Sequence, residues 1–226
     1  MISIWIVVFF FFVLALITYN SKINKKINKK INKEGFGFDN DPSQFIEPSI
    51  HPNFITKEDA DYILEMAEYN YEDSVIVEHK ADGIRKSQTY WLDKDDPIAK
   101  KIITKVCAID GYSIEQSEDI QVVKYEPNGY YREHHDSCCD DNEMCKKFNK
   151  DGYRVLTMII YLNDEFEGGS TKFPNINKEY KPEKYSGILF YPMNKNGDKC
   201  HDNSLHAGTP VTSGQKYIAN VWIRDK

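Results

Sequence analysis

From residue 120 to the C-terminus the chain alternates strand-forming runs with turn clusters, and no useful helix fits between the later runs. The runs cover residues 120–125, 153–161, 187–191 and 217–223, each rich in β-branched and aromatic side chains. Asn163-Asp164, Gly168-Gly169, residues 194–198 and Ser213-Gly214 supply the turns. Parallel strands need crossover connections of a dozen or more residues, usually helical. The pattern therefore argues against a doubly wound parallel sheet.

Helices come first. Thr56 is a candidate N-cap followed by acidic residues, and Ala60, Ile63, Leu64 and Ala67 follow the i, i+3, i+4, i+7 spacing of an amphipathic helix. Residues 75–77 and 85–92 read as strands, and Pro97 begins a second helix that runs to about residue 109. Helices followed by strands predict an α+β domain: a double-stranded β-helix (jelly-roll) core with supporting N-terminal helices.

The 226 residues carry a net charge of −6, unevenly spread. Residues 1–34 hold six lysines and one acid, Glu34, which leaves 23 basic and 34 acidic side chains in residues 35–226. An acidic domain repels a phosphate backbone, so no nucleic-acid partner is expected. Residues 2–18 are almost wholly apolar. As a helix of about 1.5 Å per residue they would span roughly 25 Å, the short end of what crosses a bilayer. No basic residue precedes this run and no small-x-small site follows it, which favours a signal anchor over a cleaved signal peptide. Residues 22–33 repeat Lys-Ile-Asn-Lys, either as a segment lying on anionic lipid or as a solvated spacer. The expected organisation is a transmembrane anchor over residues 1–19, a lysine-rich stalk over 20–44 and a folded domain over 45–226. Lysines after the anchor favour a cytosolic domain.

Chemistry enters at Tyr125-Glu-Pro-Asn-Gly-Tyr-Tyr-Arg-Glu-His-His-Asp136, which reads as a strand, a turn and a second extended segment. Residues two apart share a face of a strand, so His134 and Asp136 form a pair and His135 points away. Chance readily supplies a His-x-Asp; a third donor from elsewhere in the chain gives it meaning. His201 and His206 are the candidates, and ten residues beyond His206 lies Lys216. Two imidazoles and a carboxylate on one face suit Fe(II) and leave positions for a bidentate ligand and O₂.

Ordered motifs surround these residues: Gln121-Val-Val-Lys-Tyr-Glu-Pro127, Gly129-Tyr-Tyr-Arg-Glu-His-His-Asp136, Arg154-Val-Leu-Thr-Met-Ile-Ile-Tyr-Leu-Asn-Asp164 and Glu167-Gly-Gly-Ser-Thr-Lys-Phe173. They continue with Ser204-Leu-His-Ala-Gly-Thr-Pro-Val211 and Gly214-Gln-Lys-Tyr-Ile-Ala-Asn-Val-Trp-Ile223. With these, residues 45–226 resemble the catalytic domain of the collagen- and plant-type prolyl 4-hydroxylases, within the 2-oxoglutarate- and Fe(II)-dependent dioxygenases. The resemblance implies metal ligands at His134, Asp136 and His206, and so chooses His206 over His201. It implies that Lys216 holds the distal carboxylate of 2-oxoglutarate, with Tyr125 and Thr171 hydrogen-bonding the same co-substrate. Tyr131, Arg154 and Trp222 would line the place where the peptide and the reacting carbon sit. The implied reaction is C4 hydroxylation of peptidyl proline with Fe(II), 2-oxoglutarate, O₂ and ascorbate, giving succinate and CO₂. The implied partner is a proline-containing peptide or protein, and the location an endoplasmic-reticulum-type membrane. Two alternatives stand beside it: a related dioxygenase acting on another protein residue or a small molecule, and a non-catalytic β-barrel binding module.

Of the cysteines Cys107, Cys138, Cys139, Cys145 and Cys200, three crowd the acidic stretch after Asp136. No Cys-x-x-Cys spacing supports a zinc site. A disulfide from this loop to Cys200 would suit an oxidising compartment, and free thiols a cytosolic one.

Overall fold

Thr56 begins the first helix as its position predicts: its hydroxyl accepts from the Asp59 N–H, and the Asp59 carboxylate accepts in return from the Thr56 N–H. Helix α1 (Lys57–Ala67) buries Ala60, Ile63 and Ala67. Helix α2 (Pro97–Asp110) starts at Asp96, whose carboxylate accepts from the Ile98 and Ala99 N–H groups, and buries Ile102, Ile103 and Val106. Lys101 of α2 donates to both Asp59 oxygens at 2.8 Å, tying the second helix to the cap of the first. These elements belong to a computed structural model that describes residues 37–76, 79–80 and 83–226. The expected anchor and the lysine repeat lie outside the described residues, and among the described residues no helix is long and apolar enough to cross a membrane.

Antiparallel sheet is the main regular structure of the domain. The larger sheet has seven strands in the spatial order Ser49–His51, Gly187–Phe190, Arg154–Tyr161, Lys216–Arg224, Ile120–Tyr125, Gln88–Leu92 and Glu72–Asp73. The smaller has five, in the order Lys178–Tyr180, Thr171–Phe173, His206–Gly208, Tyr130–His134 and Arg85–Lys86. On the central strands of the larger sheet, Val122, Leu156, Met158, Ile160, Ala219, Val221 and Ile223 share one buried core with α1 and α2. The alternate residues Val123, Tyr125, Ile159, Tyr161 and Ile218 face the other way and pack with Phe173 of the smaller sheet. Period-two geometry thus builds three layers, helices, larger sheet and smaller sheet, with the inner-facing side chains between the two sheets. Residues 37–44, read as stalk from sequence, begin this architecture: Phe38–Asp39 pairs in parallel with Cys200–His201.

Two readings change and one open alternative is decided. Residues 85–92 form two strands in different sheets, Arg85–Lys86 in the smaller and Gln88–Leu92 in the larger. The chain crosses at Ser87, whose hydroxyl accepts from Arg85 Nε at 2.7 Å and whose carbonyl accepts from the Ser74 N–H. The acidic loop contains a short helix, α3 (Glu143–Phe148), capped by Asn142. The loop cysteines are oxidised, Cys138 to Cys145 and Cys139 to Cys200, while Cys107 is free and buried. This is the disulfide alternative, with one further bridge.

Gly214 turns the chain from the short strand Val211–Gly214 into the strand that begins at Lys216, at φ +72°. A Cβ there would fall on the Glu165 carbonyl oxygen and lie 2.9 Å from Phe166 Cα, both rigid backbone. Gly214→Ala is expected to cost about 2 kcal/mol, combining left-handed strain with this clash. Urea unfolding measures it; an unchanged midpoint would show that the turn relaxes without strain.

Candidate active site

His134 and His206 are opposite one another in the antiparallel pairing of their strands, so both imidazoles leave the same face. Asp136 follows two residues after His134, in the bend where that strand ends. Its Oδ1 lies 3.6 Å from His134 Nε2 and 3.8 Å from His206 Nε2, and the three donor atoms all fall within 4.8 Å of one another. The surroundings fix which atoms face inward. His134 Nδ1 donates to the Arg132 carbonyl at 2.8 Å and His206 Nδ1 to the Ser204 carbonyl at 3.0 Å. A carbonyl only accepts, so each Nδ1 carries the proton and each Nε2 presents a lone pair. Asp136 Oδ2 accepts from Thr157 Oγ1 at 2.8 Å and from Trp222 Nε1 at 3.0 Å, which leaves Oδ1 to the two imidazoles. Thr157 and Trp222 are themselves register partners on the two central strands.

Burial raises the Asp136 pKa, but His206 and His134 outweigh it and hold the carboxyl well below the usual range. Burial, with the neighbouring His134, pushes His206 down to about 4. The site is therefore a carboxylate and a neutral imidazole at neutral pH, the states that bind metals. Two imidazole nitrogens and one carboxylate oxygen, converging with their other polar atoms already bonded, fit a divalent iron ion.

Lys216 begins the last central strand, register-paired with Tyr125, and is 2% exposed. Its Nζ lies 3.5 Å from Tyr161 Oη and sits over the rings of Tyr161 and Tyr125, at 4.8 and 5.3 Å from their centroids. The Tyr161 hydroxyl is 2.9 Å from Thr171 Oγ1. No carboxylate among the described residues pairs with this ammonium. Burial, with the charge of Lys181, pushes its pKa down to about 7. A single inner cavity has Lys216, Thr171 and Tyr125 at one part of its wall and His134, Asp136 and His206 at another.

Outside it lies a second, more open groove lined by Arg85, Trp91, Tyr131, Arg154 and Trp222, with Asp136 between the two. Tyr131 stacks on the His134 ring at 3.6 Å between centroids, and the Arg85 guanidinium lies over the Tyr131 ring, 4.7 Å from its centroid. Arg154 gives both Nε and Nη2 to Glu118, at 2.6 and 2.7 Å, and its guanidinium lies 3.6 Å from the centroid of the Trp222 ring. Trp222 thus has a role sequence reasoning did not assign: it orients Asp136 as well as lining both cavities. His201 is apart from the cluster, fully buried, with Nε2 on the Asp41 carbonyl and Nδ1 on the Asn203 N–H. His135 turns away to Ser204 Oγ and the Phe38 ring. Thr157 and Tyr161 were missed, although their phase with Ile159 on one strand marks them as polar groups on the inner face.

A family model described as the 2OG-Fe(II) oxygenase superfamily matches residues 120–224, the stretch that carries the whole cluster. A protein of Acanthamoeba polyphaga mimivirus, provisionally named a prolyl 4-hydroxylase, is 41% identical over 85% of this chain and 80% of its own. The chain belongs to the 2OG-Fe(II) oxygenase superfamily. Arabidopsis thaliana prolyl 4-hydroxylase 1 is 31% identical over 77% of this chain and 67% of that protein. Among solved structures, the viral collagen prolyl hydroxylase of Paramecium bursaria Chlorella virus-1, in its 2OG complex, superposes with a TM-score of 0.61. It is 31% identical, over 78% of this chain and 94% of that one. The mostly-sheet fold and the family resemblance read from sequence both hold, and this oxygenase is a 2-oxoglutarate-dependent dioxygenase by family.

Trp222→Phe keeps an aromatic ring but deletes the N–H on Asp136. Its affinity for Mn(II), a redox-quiet stand-in for Fe(II), is expected to fall about 10-fold, the usual effect of losing a bond that orients a ligand. Titration of the folded variant measures this; unchanged affinity would remove Trp222 from the metal's support.

Proposed function

We propose that this oxygenase hydroxylates peptidyl proline at C4, using O₂ and 2-oxoglutarate and releasing succinate and CO₂. The observation that carries the reading is Lys216: a buried amino group without a carboxylate partner among the described residues, in the same cavity as the His134–Asp136–His206 cluster. Such a group calls for an anionic ligand that reaches from the cluster to the ammonium. His134, Asp136 and His206 would hold Fe(II), which supplies O₂ activation coupled to decarboxylation of the keto acid. Lys216 would pair with the distal carboxylate, with Thr171 and Tyr125 as hydrogen-bonding neighbours. Tyr131, Arg154 and Trp222 would position the peptide, since they line the groove that meets the cavity at Asp136. Burial pushes the Tyr131 phenol up to about 12, so it remains a neutral donor.

The similarity to named prolyl 4-hydroxylases supports proline as the target, and an open groove suits a chain-like substrate better than a small molecule. We read the two facing sheets as a double-stranded β-helix over residues 45–226, ascorbate as the accompanying reductant, and residues 1–19 as a single-pass anchor in an endoplasmic-reticulum-type membrane. The apolar run at residues 2–18 supports the anchor, and the disulfides suit an oxidising lumen.

Turnover tests the reading directly. The full chain is incubated with Fe(II), ascorbate, 2-oxoglutarate and proline-rich peptides, and succinate and a one-oxygen mass gain at proline are followed. Succinate without peptide oxidation would point to another substrate, and full activity in His134→Ala would sink the site assignment. A pH dependence follows from Lys216. Its ammonium is largely deprotonated above pH 7 when the cavity is free, whereas a bound carboxylate raises its pKa. Binding then takes up a proton above that pH, so 2-oxoglutarate affinity should fall with rising pH, approaching about 10-fold per unit. Anaerobic calorimetry with Mn(II) in the site measures the slope, and Lys216→Met should flatten it. A level profile in the native chain would contradict the ion-pair assignment.

A further inference from the structure

The two arms that carry the cluster are tied together on the side away from the sheet register. His134 and His206 are held in place by their strands, but Asp136 lies in a stretch, residues 135–142, that joins no strand. Three residues past Asp136, Cys139 is bridged to Cys200, and six residues past Cys200 comes His206. The path from Cys200 to His206 also contains Ser204, whose carbonyl accepts from His206 Nδ1 at 3.0 Å and whose hydroxyl lies 3.2 Å from His135 Nδ1. Asp136 lies just before one end of this bridge and Ser204 and His206 just after the other, so the disulfide ties together the two segments that carry them.

Its setting is firm. Cys139 and Cys200 are 2% and 0% exposed and share a small apolar cluster with Val155 and Met193. The Cys200 N–H donates to the Cys139 sulfur at 3.0 Å, and the Cys139 carbonyl accepts from the Gly37 N–H at 2.7 Å. The second bridge differs in kind. Cys138–Cys145, at a sequence separation of 7, joins this stretch to α3 and does not reach the segment that carries His206.

We infer that Cys139 and Cys200 are positioning residues for the metal cluster: with their disulfide open, the domain keeps its sheets but loses most of its affinity for the ion. A crosslink across a sequence separation of 61 removes freedom from both arms at once. Opening it returns that freedom to Asp136 and to the Ser204 carbonyl, while the helices, the larger sheet and the His134–His206 register are left intact. Reduction by a dithiol breaks one S–S bond, passes two electrons and two protons to Cys139 and Cys200, and leaves the reductant as its own disulfide. The metal affinity of this chain is then set by the redox state of its compartment.

This inference rests on the proposed metal reading, and Mn(II) titration separates the two. The oxidised full chain, the chain reduced with a dithiol, and the double variants Cys139→Ser/Cys200→Ser and Cys138→Ser/Cys145→Ser are titrated, with free Mn(II) read by electron paramagnetic resonance and folding by circular dichroism. The Mn(II) Kd is expected to rise about 10-fold or more in the reduced chain and in Cys139→Ser/Cys200→Ser, both still folded. Cys138→Ser/Cys145→Ser should stay within about threefold of the native chain, and reoxidation should restore the reduced one. Unchanged affinity in the folded Cys139→Ser/Cys200→Ser variant overturns the inference. So does unfolding on reduction, which would make the bridge a support of the fold instead of the site. An oxidised chain that binds no Mn(II) at all overturns the metal reading, and this inference with it.

Discussion

The groups of the larger sheet that support the site depend on the phase of two central strands, Arg154–Tyr161 and Lys216–Arg224. With Leu156, Met158 and Ile160 turned to the helices, Thr157, Ile159 and Tyr161 must face the smaller sheet; with Ala219, Val221 and Ile223 outward, Ile218, Asn220 and Trp222 must face inward, as Lys216 does. A slip of one residue would exchange the two sets. The helices prevent it, because their apolar faces accept only one set. Helices α1 and α2 hold no residue of the cluster, yet their packing fixes where Thr157, Trp222 and Lys216 point. The Asp59–Lys101 pair, which joins cap to helix, belongs to the same constraint.

Buried polar groups on the inner face lower stability unless they are bonded, and their bonding explains their arrangement. Asp136 is satisfied by Thr157 and Trp222, and both histidines are bonded through Nδ1 to backbone two residues away. Glu118 serves two guanidiniums, Arg154 and Arg224, and so fixes the flank of the groove through Trp222. The donors aimed into the cavity are already bonded through their other polar atoms, to Thr157, Trp222 and backbone carbonyls, and so are in place before any ligand arrives.

The long strands, both main helices and the Thr56 cap were readable in the sequence because their signals are local: alternation, spacing and a hydroxyl three residues before an acid. The His134–Asp136 pair was readable for the same reason. Its completion was not: His206 lies on a three-residue strand, too short for a periodic signal, and only resemblance chose it over His201. The sheet change at Ser87 was hidden because a strand's pattern does not name its partner. The disulfide pairing remained open between two readings, since it depends on which loops meet. Trp222 and Arg154 were found as residues, but their bonds to Asp136 and Glu118 are contacts between distant segments.

The Lys216 amino group, without a carboxylate partner among the described residues, also bears on what the inner cavity would refuse. Under the proposed assignment, a keto acid with a single carboxylate could use the cluster but would leave the buried Lys216 nitrogen without a partner, and a polar site rejects an analogue that leaves its buried group unpaired more strongly than one that merely fits poorly. Under that assignment the cavity would discriminate by the number of carboxylates a molecule brings. Monoanionic metabolites such as pyruvate would be turned away by a missing partner, without any side chain placed to block them.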